Sequence, residues 1–304
     1  MSVWHGLLAA AAAWQAAAAP AADRPLFDGV TYRQERRVDA DEPVVVHIVT
    51  LDLTRPGVRL GVTPPDRSRG MEYVAHTVRD DLIVNRAQVA VNASYFLPFF
   101  GGSPKGDDYY PHDGEPVSVS GAAIGGGRVA SPVEIDQDLR VSAILCLGRR
   151  TDIRAGQRCP AGTRDAIAAG PHLLQSGQAV PLHRALTAEG GKGPRTAIGL
   201  SADRRRAWIV VVDGRQKGYS MGADNAALVA LFRDLGASDA MSFDGGGSST
   251  LAVAEGKGAV VLNRPIHTGI AGRERPVANA LLVFAPPISV RQQEGISANG
   301  RAPR

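Results

Sequence analysis

Asp244 stands directly before three glycines and three hydroxyl side chains, in the run Asp244-Gly245-Gly246-Gly247-Ser248-Ser249-Thr250. Consecutive glycines cost more backbone entropy to order than any other residues, so they belong where a chain bends sharply or is closely approached. Three roles fit this run. Its backbone N–H groups can cradle a phosphate, as glycine nests do. Asp244 can act as a catalytic carboxylate. Alternatively, the stretch is a turn between strands in which Asp244 accepts local backbone hydrogen bonds. Two other sites are excluded by residue type: no Lys follows the glycines, as a nucleotide P-loop requires. Nor do Ser248 and Ser249 sit in the Gly-x-Ser-x-Gly frame of a serine-hydrolase elbow.

Other polar groups fall at the ends of hydrophobic runs: Asn92, Asp213, Arg195, and Arg275 with Glu274 before it and Asn279 after it. One such residue is ordinarily a cap or a surface group. Several together suggest a shared rim, because a sheet gathers its strand ends along one edge. Arginine suits a phosphate, since its planar fork donates two bonds at once. His267, between glycine-containing turns, is either a proton carrier or a solvent-facing loop residue. Asp107, Asp108, Asp113 and Glu115 crowd one loop and offer oxygen ligands for calcium, but their spacing is not that of an EF-hand, and a solvated acidic loop is the plainer reading. No other cofactor is indicated.

Several of these segments are similar, in type and order, to those of the phosphodiester glycosidase family: Arg195-Thr196-Ala197-Ile198-Gly199, Val212-Asp213-Gly214-Arg215, Asp244 through Thr250, and Arg275-Pro276-Val277-Ala278-Asn279. Asn92-Ala93-Ser94-Tyr95-Phe96 resembles another family segment, with Ser94 where glycine is usual, and Gly170-Pro171 before Leu173-Leu174 resembles a further one. The resemblance spans roughly residues 44–285. It implies hydrolysis of a sugar, of N-acetylglucosamine type, joined through its anomeric oxygen to a phosphodiester. Asp244 would face the anomeric carbon or its attacking water, with Glu274 and Asp213 competing for a second acid/base position. Arg195 and Arg275 would hold the phosphate, with Arg215 in reserve. Gly245, Gly246, Gly247 and Ser248 would form the floor, and His267, Asn92 and Asn279 would orient substrate or carboxylates. Two alternatives stay open: a catalytically silent glycan-binding module on the same scaffold, and a phosphodiesterase that breaks P–O.

The elements that must position these groups are mostly short strands. The β-branched run 44–49 reads as a buried strand, with 58–62 as its partner. Residues 195–200 and 207–212 read as a hairpin around Asp203-Arg204-Arg205. Further strands are expected at 87–91, 141–147, 240–243, 251–253 and 279–285, with a hairpin at 117–129. Helical spacing predicts helices over 71–86 and after Asp224, the latter capped by Asp224 and stopped by Gly236. Residues 98–114 form a long loop of the kind that is commonly functional. The pattern is α+β: a mixed, largely antiparallel sheet with a few packed helices.

The 304-residue chain opens on an alanine-rich apolar run that ends in a small-x-small site, so residues 1–21 read as a secretory signal peptide. Residues 22–42 then form an extended lead-in, 43–287 one domain, and 288–304 a disordered tail. The protein is expected to be secreted or periplasmic, with no stable membrane insertion, since no other run is long and apolar enough to span a bilayer. Lys and Arg total 34 against 30 Asp and Glu, but the arginines are scattered, which argues against nucleic acid as a partner. The expected partner is a carbohydrate phosphodiester. Cys146 and Cys159 either pair locally or remain free thiols.

Overall fold

The computed structural model describes residues 15–16, 22–39, 41–134, 138–182 and 191–288. Apart from a short backbone pairing at 15–16, the expected leader lies outside the described residues, as does the tail beyond 288. The β-branched run lies within the strand Glu42–Asp52. Its side chains alternate between two cores: Val44, Val46 and Ile48 pack towards the helix Asn225–Asp234, and Val49 and Leu51 pack towards a second sheet. Burial on both faces is why the run is hydrophobic throughout rather than alternating.

The hairpin is formed as its pattern predicts. Arg195–Leu200 pairs with Arg206–Val212, placing Arg195 opposite Val212 and Leu200 opposite Ala207. It lies at the centre of a nine-stranded sheet, flanked on one side by Glu42–Asp52 and Val30–Asp39 and on the other by Asp239–Ser242 and His172–Gln175. A five-stranded sheet runs Gly258–Val261, Leu251–Glu255, Val89–Asn92, Ala280–Phe284, Arg59–Val62. A second five-stranded sheet carries Ala143–Leu147 and Thr151–Ala155, and Cys146 and Cys159 form a disulfide at its edge. Every pairing between these strands is antiparallel. Residues from these three sheets meet in one hydrophobic core, including Ile198, Val91 and Leu145, and a smaller three-stranded sheet lies apart from it.

Helices contribute less than expected. Among the described residues there are two α-helices, Val78–Asn85 and Asn225–Asp234. Each packs on one sheet: Asn225–Asp234 on the nine-stranded sheet, and Val78–Asn85 on the five-stranded sheet that holds Val89–Asn92. Asp224 caps the second, accepting from Ala227 N at 2.8 Å. The first begins later than its hydrophobic spacing suggests, because Tyr73–Val74 pairs with Pro116–Val119 and Thr77 supplies the cap.

Two pairings differ from expectation. Arg59–Val62 pairs with Ala280–Phe284, not with the 42–52 strand. Val30–Asp39, in the polar lead-in, pairs along its whole length with Glu42–Asp52. Its alternating Arg33, Glu35 and Arg37 form ion pairs on the sheet surface, which a hydrophobic pattern does not reveal.

Candidate active site

Asp239–Ser242 belongs to the nine-stranded sheet and Leu251–Glu255 to the five-stranded one, so the glycine run carries the chain from one sheet to the other. It is clamped at this crossing. Asp244 N donates to Ala93 O at 2.9 Å, and Asn92 Nδ2 donates to Asp244 O at 2.6 Å. The Asn92 carboxamide oxygen accepts from Thr196 Oγ1 and from Thr250 N. Asn92 is fully buried. It ties three segments together behind the loop and does not line the cleft in front of it.

That cleft has a volume of about 280 Å³, and four arginines line it: Arg140, Arg195, Arg215 and Arg275. Asp244 is the single carboxylate among its lining residues. The glycines at 246 and 247 explain how Arg215 and Arg275 come so close, while Arg195 is in ordinary contact with the loop. A Cβ at 245 would lie 3.5 Å from Arg195 Nη1, and one at 246 would lie 3.2 Å from Arg215 Nη1. At 247 it would lie 2.5 Å from Arg275 Nη2, closer than atoms can approach. The loop is therefore bare for three reasons: Pro194 O lies 3.0 Å from a Cβ at 245, Gly246 takes a left-handed φ of 61°, and the Arg275 guanidinium rests on Gly247.

Each arginine is fixed differently. Arg275 donates from Nε to His267 Nδ1 at 3.1 Å and from Nη1 to Ser248 Oγ at 3.0 Å, and its guanidinium lies over the Phe99 ring, 4.6 Å from the centroid. Arg195 donates to Ala223 O and Gly191 O. Arg140 pairs with Asp138 and lies over Tyr95. Arg215 is exposed, and among the described residues it has no acidic partner. Burial lowers the pKa of both Arg195 and Arg275. Burial also raises the Asp244 carboxyl, against the opposing pull of Arg275, the Ser248 hydroxyl and Arg140. Partly desolvated cations facing one carboxylate make a site complementary to a bound anion.

The other candidates lie behind or beside this cleft. Asp213 is buried, and its carboxylate accepts from Tyr219 OH (2.9 Å), Asn263 Nδ2 (3.0 Å) and Arg264 N (2.8 Å), with His47 Nε2 at 3.0 Å. Burial pushes its pKa up, but these bonds outweigh that, and the net shift is down. Asn263 also donates to Ser249 O, so Asp213 braces the far end of the glycine loop. Glu274 turns away to pair with Arg79 at 2.8 Å. Asn279 holds Ser94, accepting from its N and donating to its Oγ. His267 is fully buried and pushed down to about 3 by burial and by Arg275 and Arg273, so it serves as a neutral acceptor for Arg275. Asp107, Asp108, Asp113 and Glu115 face separate partners: Arg273, Ser103, His76 and His112. No group of three His, Cys, Asp or Glu side chains able to hold a metal ion occurs among the described residues.

Arg140 was not among the residues singled out from the sequence. It precedes a hydrophobic strand in a stretch with no glycine run, where neighbouring carboxylates such as Asp138 read as its surface partners, and only the fold brings it to the rim. Phe99 lay in the long loop flagged as functional, without a specific role. A larger groove, about 790 Å³, runs between the Arg24–Phe27 strand and Trp208. Its charges are largely matched within it, as Arg33 with Asp23 and Arg55 with Asp52. Of these two, the smaller cleft is the one whose charge is unbalanced.

Among solved structures, the catalytic domain of zebrafish N-acetylglucosamine-1-phosphodiester alpha-N-acetylglucosaminidase, auto-inhibited by pro-peptide, shares the fold with a TM-score of 0.59 at 16% identity, over 89% of this chain and 87% of that one. A hypothetical protein from Synechocystis gives 0.59 at 17% identity over 88% of this chain, which spans 64% of that protein's length. A protein described as exported, from Burkholderia pseudomallei, gives 0.53 at 18% identity over 82% of this chain and 75% of its own. No curated protein matches the sequence. The phosphodiester glycosidase profile matches residues 85–284, a span that holds the glycine run and all four cleft arginines; the chain belongs to the phosphodiester glycosidase family.

Proposed function

We propose that the chain hydrolyses the anomeric C–O bond of a sugar-1-phosphodiester, of N-acetylglucosamine type, in an envelope or exopolysaccharide substrate. The observation that carries this is the pairing of one carboxylate with four arginines in a cleft sized for a small ligand. Arg195, Arg215 and Arg275 hold the phosphate. Asp244 faces the anomeric carbon, directly or through the attacking water. The C–O bond breaks with both electrons going to the phosphate oxygen, water supplies the new bond at carbon, and its proton leaves through Asp244. The phosphate monoester that departs is the conjugate base of a fairly strong acid, so no second carboxylate is needed to protonate it. The arginines stabilise the charge that develops there.

Turnover of an N-acetylglucosamine-1-phosphodiester in water labelled with heavy oxygen tests this reading. The label is expected in the free sugar. Label in the phosphate would assign P–O cleavage, and binding without turnover would assign a glycan-binding module; either result overturns the proposal. Export is part of the same reading. It is supported by the alanine-rich N-terminal run and by the Cys146–Cys159 disulfide, a bond that persists in oxidising compartments. Among the described residues no helix is long and apolar enough to cross a membrane.

A further inference from the structure

We infer that the alcohol on the far side of the phosphate is an aliphatic chain, received by an apolar rim formed by Leu97, Phe99 and Phe100; this rests on the phosphodiester reading of the cleft. Among the described residues seven large hydrophobic side chains are exposed, and three of them fall within residues 97–100, at 56%, 43% and 61% exposure. A fourth, Leu139, adjoins the cleft residue Arg140. Scattered exposed hydrophobics need no explanation, but a cluster bordering a site does.

The stretch meets the anion site at Phe99. Phe99 both lines the cleft and stacks against Arg275, so a phosphate held by Arg275 has this apolar edge beside it. The backbone is pinned on both sides of the cluster. Phe96–Leu97 pairs with Val119 and Ser118, and Phe100 exchanges two backbone hydrogen bonds with Tyr110. Phe99 also meets Phe96 edge-to-face at 5.8 Å. The side chains are thus presented outwards by a fixed frame. A sugar-phosphate fits the polar end of the cleft, and a hydrocarbon chain leaving the phosphate can remain against Phe99 and Phe100.

Calorimetric affinities of methyl, butyl and octyl phosphate for the full chain test this directly. Affinity is expected to rise about fourfold per buried methylene until the chain outgrows the patch. Leu97→Ser with Phe100→Ser, both at exposed positions, is expected to flatten that rise while leaving methyl phosphate unaffected. Equal affinity across the series, or no binding by any member, overturns the inference. So does self-association abolished by the double substitution without a chain-length effect, or equal binding to neutral phosphatidylcholine vesicles. The two readings separate cleanly. Turnover of a methyl phosphodiester without a chain-length gain removes only the aliphatic preference. A chain-length gain without turnover of any phosphodiester removes only the activity.

Discussion

Asp213 and Asp244 begin the same way in the sequence, each as an aspartate that ends a strand and precedes glycine. Their surroundings then diverge. Asp213 lies behind the glycine loop, satisfied by a hydroxyl, a carboxamide, a backbone amide and His47, with a depressed pKa. Asp244 lies on the cleft wall, its carboxyl raised by burial, with arginines around it that no second cleft carboxylate answers. A carboxylate whose lone pairs are filled by its own fold is spent on structure. One held in a partly desolvated, cationic cleft keeps capacity for a ligand. Satisfaction, not residue type or spacing, separates the two.

The largest expected effects exchange these roles. Asp244→Asn should lower kcat by about 10²–10⁴-fold, the range for losing a positioned acid/base group, and leave the melting temperature nearly unchanged. Asp213→Ala leaves His47 and Asn263 buried without their acceptor, so it should cost about 3 kcal/mol of stability. The folded fraction of that variant should retain most of its turnover. Thermal unfolding and single-turnover rates on a sugar-1-phosphodiester check both. Turnover lost in the Asp213 variant at intact stability would dissolve the distinction.

How far the sequence revealed these roles depends on what each residue needed to be recognised. The central hairpin was legible because Val210 and its neighbours are hydrophobic on both faces and Asp203-Arg204-Arg205 marks the turn. The Asp224 cap was legible because capping is local. Asp244 and its arginines could be singled out because the loop is chemically unusual. The split between Asp213 and Asp244 could not, since it rests largely on Asn263 and His47, 50 and 166 residues from Asp213 in the chain. Val30–Asp39 was obscure for a similar reason: its arginines and glutamate are satisfied by each other and by strand pairing, which no periodicity records.

Gly247 tests whether the bare loop is what seats the arginine. A methyl there would collide with Arg275 at Nη2 and at Cζ, 2.9 Å away. Gly247→Ala should therefore lower kcat/KM by about 10- to 100-fold through a displaced guanidinium. An unchanged kcat/KM would mean that Arg275 does not hold the substrate where it sits.

Titration gives a gentler contrast. For Asp244 the folded carboxyl is raised, so ionisation, and with it activity, should set in above the ordinary carboxylate range of about 3.9. The stability linked to its protonated form is correspondingly lost as pH rises through that raised value. For Asp213 the folded pKa is lowered, so its stabilisation is present above the unfolded value and is lost only as pH falls through the folded one. Lowering the pH should therefore extinguish activity reversibly before the fold is lost. Because Arg275 pulls the Asp244 carboxyl down, Arg275→Gln should move the acidic limb of the profile upwards.

The smallest effect is expected at His267. Its ring is buried, held neutral with a pKa of about 3, and receives the Arg275 Nε proton on Nδ1. A glutamine offers an oxygen acceptor of similar reach, so His267→Gln should cost about 1 kcal/mol in orienting Arg275, a severalfold rise in KM with kcat nearly unchanged. The acidic limb should stay in place, because the residue that sets it is Asp244. A proton-carrying histidine would behave otherwise: its removal would abolish an ionisation from the kcat profile and depress kcat itself. Comparing the pH profiles of wild type and His267→Gln separates orientation from proton transfer, even if the two proteins differ only a few-fold in rate.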